Sequence, residues 1–273
     1  MDRQGKDTIR TWFTEYVRTF KTGEAAFQRN IILKEEHSLR VCNEIVDLGR
    51  SLGLGDEELC LAETIGLLHD IGRFEQFKRY RTFVDRNSED HAQLGVQVLK
   101  QNGVLDFLDA ATRGLIVRAV SYHNRAELPE QESEECLFFS RLLRDADKLD
   151  IWKVVTDYYG SKDGVKNDAL EYGLPDTGEI SRAVYRDLSG GRMVDIGSLE
   201  TLNDFKLLQI GWLYDINFGP TFQHIKQRYY LETIFDSLPP SDKLDRLYGT
   251  VKTYLDKKVE EARKAFCETQ TGA

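Results

Sequence analysis

Proline is scarce in this chain, with five in 273 residues, and alternation of apolar and polar residues is scarce as well. A sequence that seldom breaks a helix and seldom writes a strand pattern reads as all-α. Cysteine is sparse and scattered: Cys42, Cys60, Cys136 and Cys267 stand alone. No two have the close spacing of a zinc knuckle or a redox motif, so free thiols in a reducing compartment are expected. Long apolar runs are missing. A bilayer span needs roughly 20 predominantly apolar residues, and no stretch approaches that. Met1-Asp2-Arg3-Gln4-Gly5 leads into no apolar signal core, so the expectation is a cytoplasmic protein with no membrane partner. Excess positive charge is also missing: 37 Lys and Arg against 46 Asp and Glu leave −9. An acidic surface repels phosphate backbones, which excludes a broad duplex nucleic-acid face. It leaves room for a local basic pocket that takes a small phosphorylated ligand.

What is present is ordinary globular material, 41% hydrophobic and 30% charged, in a chain long enough to form a core without covalent staples. Residues 8–20 place Ile9, Trp12, Phe13, Tyr16 and Phe20 at helical spacing. Residues 31–52 do the same with Leu33, His37, Val41, Ile45 and Leu48, and Gly53 and Gly55 stop them. Asp56 is expected to cap a third helix that carries Leu59, Ala62, Ile65 and His69 and ends near Gly72. The polar, aromatic-rich stretch RFEQFKRYRTFVDRNSED reads as a long connection, a length that often serves function. Helices follow over 90–101, 106–123 and 134–158. Residues 160–198, rich in Gly, Asp and Ser, read as loops with short helices. Helical patterns then return over about 199–268, as 199–216, 220–238 and 242–266. Their aromatic stripes are expected to pack against the first half, and the aromatics of 199–236 are compatible with a homodimer interface.

Four of the five histidines fall between residues 37 and 123. A lone histidine on an apolar stripe is ordinarily a hydrogen-bonded core residue. Four inward-facing ones, His37, His69, His91 and His123, joined by Asp70 and Asp147, suit a site for transition metals that accept both imidazole and carboxylate. Neighbours on a helix point about 100° apart. The adjacent pair His69-Asp70 can serve one site only if it stands at a helix end, and Gly66 and Gly72 flank it in GLLHDIGR.

The pattern His37, His69-Asp70, Asp147, in the stretches LLHDIGR and RDADKLD, resembles the HD superfamily of metal-dependent phosphohydrolases over roughly residues 30–155. The resemblance implies a multi-helix HD-like bundle with additional C-terminal helices. It is expected to form a single domain over 1–273, with a metal-binding core of about 30–155 and a helical extension of about 160–268. It implies His37, His69, Asp70 and Asp147 as ligands of a first metal, with His69 and Asp70 at the catalytic centre. Asp145 and Asp150 are then expected to face solvent or to support the ligands. His91 and His123 extend the set to the six-residue pattern of members that hold two metals, with Asp70 bridging. The implied cofactor is a divalent metal, two ions of iron, manganese, nickel, zinc or magnesium. Such a pair activates water and clamps phosphoryl oxygens. His224 matches no superfamily position and reads as structural.

Arg73, Lys78, Arg79 and Arg81 form a local basic concentration beside the doublet, and Lys148 adjoins Asp147. These are the candidate contacts for a phosphorylated substrate, and Phe74, Phe77, Tyr80 and Phe83 either stack on a base or form a small core. The implied reaction is hydrolysis of a phosphate ester or anhydride, of a nucleotide or another small molecule. Two alternatives stay open. The same ligands resemble those of mixed-valent di-iron oxygenases in the superfamily, and some members keep the fold as regulatory domains without catalysis.

Overall fold

The computed structural model describes residues 1–21, 23–160 and 171–271. Among the described residues there is helix and no strand, as the scarcity of proline and of alternation predicts. No helix among them is long and apolar enough to cross a membrane. The chain divides within one long helix into two compact units, Met1–Asp150 and Ile151–Ala273.

The first unit opens with α1 (Arg3–Arg18), α2 (Ala25–Ser51) and α3 (Asp56–Leu68). The Asp2 carboxylate accepts the Gly5 N–H at 2.8 Å and starts α1 five residues earlier than the apolar pattern does. Gly55, rather than Asp56, is the capping position of α3, and its N–H donates to Glu58 at 2.8 Å. The apolar stripes of α2 and α3 bury Val41, Ile45, Leu48, Ala62, Ile65 and Leu68 with essentially no exposure. At roughly 25 cal/mol per Å² of apolar surface removed from water, each of these valine, leucine and isoleucine side chains contributes on the order of 2 kcal/mol.

The expected connection after the doublet is instead largely helical, as α4 (Gly72–Tyr80), followed by a single 3-10 turn at Asp85–Asn87. The reason is tertiary. Phe74 and Phe77 lie one turn apart and are buried. Phe74 meets the rings of Phe13 and Phe20 at 6.1 and 5.8 Å, and Phe77 meets Phe27 and Phe83 at 5.4 and 4.7 Å. Tyr80 is exposed. Phe74 and Phe77 therefore serve the core and Tyr80 does not, and nine residues dense in charge hide that apolar face in sequence.

Then come α5 (His91–Gln101), α6 (Ala110–Tyr122) and α7 (Glu134–Gly160). Asp90 caps α5 by accepting from Ala92 and Gln93, and Asp109 caps α6 through Ala111 and Thr112. Gly72 marks where α4 and α5 approach most closely: a Cβ there would lie 2.1 Å from the His91 carbonyl oxygen and 2.5 Å from the Gly95 nitrogen.

The second unit holds α8 (Arg182–Ser189), α9 (Leu202–Gly211), α10 (Gly219–Gln227), α11 (Tyr230–Asp236) and α12 (Asp242–Thr271), with 3-10 turns at Ile196–Ser198 and Trp212–Asp215. Part of the expected loop region, 161–170, lies outside the described residues. The single helix expected over 220–238 is two, because Tyr229 adopts a left-handed φ of 55° and interrupts it. Trp152 centres this unit's core. It is fully buried, donates from Nε1 to the Gln209 carbonyl at 3.0 Å, and lies beside Trp212 and Tyr230. Cys42, Cys60 and Cys136 are free thiols, the first and last of them buried.

Candidate metal centre

Each histidine of the cluster is delivered by a distinct helix position. His37 lies in the interior of α2, on the stripe of Val41 and Ile45. His69 is the residue that ends α3, and Asp70 follows it in the turn before α4. That turn frees the two neighbours from helical phase, so both reach the same centre. His91 is the first residue of α5, and His123 ends α6. Asp147 stands in α7.

Two groups of donor atoms meet at Asp70. On one side, His37 Nε2 lies 3.2 Å from His69 Nε2, 3.1 Å from Asp147 Oδ1 and 3.5 Å from Asp70 Oδ2. His69 Nε2 is 3.7 Å from Asp147 Oδ1 and 3.9 Å from Asp70 Oδ2. On the other side, His91 Nε2 lies 2.9 Å from His123 Nε2, and these nitrogens are 3.4 and 3.7 Å from Asp70 Oδ1. The two oxygens of one carboxylate thus face different histidine pairs.

The opposite edge of every ring is spoken for. Nδ1 of His69 and of His123 bonds to the carbonyl three residues back, Gly66 and Val120, each at 2.7 Å. Nδ1 of His37 bonds to Asp150 Oδ2 at 2.6 Å, and Nδ1 of His91 to Asp85 Oδ2 at 2.7 Å. Carbonyls and carboxylates only accept, so in all four rings Nδ1 carries the proton and a neutral ring turns its Nε2 lone pair inward.

The carboxylates behind the rings are held in turn. Arg40 reaches Asp150 with Nε at 2.6 Å and Nη2 at 3.1 Å. Arg73 Nη1 and Gln76 Nε2 both donate to Asp85 Oδ1 at 2.8 Å. Asp150 takes the supporting place that the RDADKLD stretch offers, whereas Asp85, Arg40 and Gln76 belong to no motif in the sequence. Asp150 and Arg40 each lie three residues after a cluster residue, a spacing that puts them on the same helix face. Asp145 and Asp150, for which solvent exposure was one expectation, are both fully buried. The carboxylate of Asp150 is needed against the His37 ring, inside the bundle.

The electrostatics follow. Burial alone would push Asp70 up, but Lys34, His69 and Arg73 outweigh it and hold the carboxyl well below its usual range. Burial also opposes ionisation of Asp147, and hydrogen bonds from His37 and His69 prevail. For His37, burial and then Lys34 disfavour the charged ring, yet Asp147 and Asp150 together raise it to about 8. His91 is pushed down to about 3 by burial and then Arg73. The first group therefore favours a cation among its donors.

This donor set fits a metal. Donors around one ion at about 2.0–2.2 Å stand about 3.0–3.5 Å apart, and the donor atoms of the two groups stand 2.9–3.9 Å apart, close enough to converge on an ion with small side-chain shifts. Two imidazole lone pairs facing each other at 2.9 Å repel unless a cation lies between them or a ring takes up a second proton. Mixed imidazole and carboxylate donors suit zinc, iron, manganese or nickel. The side chains of His69, His91, His123 and Asp70 are at most 5% exposed, whereas those of Asp147 and Lys34 are each 19% exposed.

The basic residues singled out in sequence take different places. Arg73 is committed inward: Nη1 also donates to Gln76 and the Phe83 carbonyl, and Nε is 3.4 Å from Asp70. Lys78 and Arg79 pair with Glu75 at 3.6 and 3.3 Å, Arg81 pairs with Glu24 at 3.5 Å, and all three are exposed. Lys148 is buried and donates to the Arg144 carbonyl at 3.5 Å. His224 meets Arg228 in the second unit at 3.3 Å. Lys34 has no place in the sequence pattern, yet its Nζ lies 2.8 Å from Asp70 Oδ2.

Compared with known proteins, residues 35–152 match the family model described as HD domain. No curated protein and no solved structure matches the chain. The matched span begins just before His37 and ends just after Asp150, so it takes in both donor groups and both of their carboxylate supports. Over this span the chain is similar to HD domains, and its histidine-aspartate clusters fit the metal site of such a domain.

Proposed function

We propose that the protein is a metal-dependent phosphohydrolase with a dinuclear centre, acting on a phosphate ester or anhydride of a small molecule such as a nucleotide. The observation that supports this most directly is the division of Asp70, with Oδ2 toward His37 and His69 and Oδ1 toward His91 and His123. In this reading His37, His69, Asp70 and Asp147 hold a first ion, and Asp70, His91 and His123 a second. Bound there, divalent ions make water a nucleophile near neutral pH and neutralise phosphoryl oxygens.

The chain supplies position and charge. Asp70 sets the distance between the two halves, and Arg73 anchors it from behind while also fixing Asp85. Asp150 and Asp85 hold the rings of His37 and His91 in the tautomer that presents Nε2. With three donors, Asp70, His91 and His123 would leave an ion more open positions for substrate and water than the four-residue half would. In the net reaction the water oxygen bonds to phosphorus, the ester or anhydride P–O bond breaks, and the leaving oxygen departs with a proton from that water.

The test is elemental analysis of protein purified without chelator, beside His37→Ala and His91→Ala, followed by a panel of phosphate esters and nucleotides. Near two ions per chain, fewer in both variants, with metal-dependent phosphate release, is the expected result. Iron with substrate-dependent oxygen uptake and no phosphate release would move the reading to the oxygenase alternative. A protein that cannot be loaded with metal would leave the regulatory one.

A further inference from the structure

Resting on the dinuclear reading above, we propose that Lys34 is the residue that pairs with an oxyanion of the bound substrate, its ammonium lying next to the metals through Asp70 Oδ2. Lys34 stands one turn before His37 on α2. Its Nζ is 2.8 Å from Asp70 Oδ2, and the side chain is 19% exposed while Asp70 is 4% exposed. The ammonium also lies 5.4 Å from the centre of the Phe83 ring, a face that tolerates a cation without accepting a conventional hydrogen bond.

The other cations around the centre are turned to protein acceptors, and Arg73 Nε, which makes no hydrogen bond, is buried 3.4 Å from Asp70 Oδ1. Arg40 gives Nε and Nη2 to Asp150. Arg73 gives Nη1 to Gln76, Phe83 and Asp85. Arg144 donates to the carbonyls of Arg125 and Ala126, and Lys148 to that of Arg144. Lys34 differs. An ammonium has three donors, and among the described residues its only hydrogen-bond acceptor is Asp70. Two N–H bonds remain, on a side chain that is 19% exposed.

The charge pattern says what those bonds are for. Asp70 Oδ2 belongs to the donor group of His37 and His69. An ion sharing that oxygen would set two positive charges within a few ångströms of each other, and like charges so close repel strongly even at the effective dielectric of a protein surface. An anion bridging ion and ammonium relieves it. A phosphoryl oxygen fits that place in charge and in its capacity to accept more than one donor, and a neutral substrate would leave the repulsion standing.

The test uses the full chain, loaded with Mn2+ or Zn2+, as unmodified protein, Lys34→Met and Lys34→Arg. Metal affinity is measured by competition with a chelating dye, and inorganic phosphate binding by calorimetry. Circular dichroism and thermal melting check that the variants fold. Lys34→Met is expected to bind metal as tightly as the unmodified protein or more tightly, since a neighbouring positive charge is gone. It is expected to bind phosphate about 10- to 100-fold more weakly, the worth of one charge-assisted hydrogen bond. Lys34→Arg should recover most of that loss.

The assignment is overturned if Lys34→Met binds phosphate as well as the unmodified protein does, if it loses metal, or if the loaded unmodified protein binds no phosphate. Phosphate binding that depends on Lys34 in a protein that releases no phosphate from any ester would uphold the assignment and overturn the hydrolase reading.

Discussion

Asp150 accepts the Nδ1 proton of His37 at 2.6 Å while both of its own oxygens are held by Arg40. His91 has the same support from Asp85, fixed by Arg73 and Gln76. The two arrangements differ in wetness: the Asp150 side chain is 1% exposed and that of Asp85 is 33% exposed. Water can replace a lost hydrogen bond at Asp85 far more readily than at Asp150.

Asp150→Asn is therefore expected to weaken binding of the first ion about 10- to 100-fold, the usual effect of removing the group behind a liganding histidine. Asp85→Asn should weaken the second ion by less. Metal titrations of the two variants, compared in the same buffer, check the order. Equal losses would show that burial of the supporting carboxylate is immaterial.

Gly72→Ala puts a methyl group into the backbone of α5, against the His91 carbonyl and Gly95. Backbone cannot yield as a side-chain tip can. The expected cost is about 1–3 kcal/mol, the range for overpacking. Because the clash is with His91 itself, metal content should fall with stability. Denaturant melts with and without added metal check this, and full metal content in a destabilised variant would separate the two effects.

Removal of metal should lower the melting temperature without abolishing the helices. An ion at 100 times its dissociation constant contributes about 2.7 kcal/mol to the folded state. The stripes of α2, α3 and α7 form a core that does not depend on it, with Ile45, Ile65, Leu143 and Leu149 fully buried. Melting with excess chelator, followed at a helical circular dichroism band, is the measurement. Loss of helix at room temperature would show that the metal holds the fold.

The stability of the metal-free protein should peak near pH 6.5. His91, lowered to about 3 by burial and Arg73, stays neutral in the folded state while the unfolded ring protonates below about 6.5. Its contribution is present above that value and is lost as pH falls toward about 3. His37, raised to about 8 by Asp147 and Asp150 against burial and Lys34, acts in the opposite sense. Its contribution is complete below about 6.5 and is lost as pH rises through about 8. Below about pH 4, Asp70, Asp147 and Asp150, all held low, add a further loss. Urea midpoints from pH 4 to 9 in chelator check the curve. His91→Gln should flatten its acid side and leave the alkaline side in place.

Helical phase makes much of this legible in advance. His37, with Val41 and Ile45, could be placed on a buried stripe, and Asp147 with Leu143, so the closeness of the six histidine and aspartate side chains follows from pattern plus the HD resemblance. Residues 72–80 were harder, because Phe74 and Phe77 declare their face only against Phe13, Phe20 and Phe27, which are distant in the chain. Asp85 was hidden for a similar reason. It comes from irregular backbone between α4 and α5, and a loop has no period from which to read direction. Lys34 lies in phase with His37, yet a lysine at that spacing is commonly a solvated residue, and only the position of Asp70 makes it otherwise.

The pinned Nδ1 atoms bear on how fast the centre can fill. None of the four rings can flip without giving up a hydrogen bond of 2.6 or 2.7 Å. Their rotamers are settled when the chain folds, so an arriving ion meets donors that need no search. Loading is then governed by how readily the ion sheds its own hydration water. Magnesium, which dehydrates reluctantly, would enter more slowly than zinc or manganese, and the order in which ions reach the centre would follow their aqueous exchange rates rather than any motion of the protein.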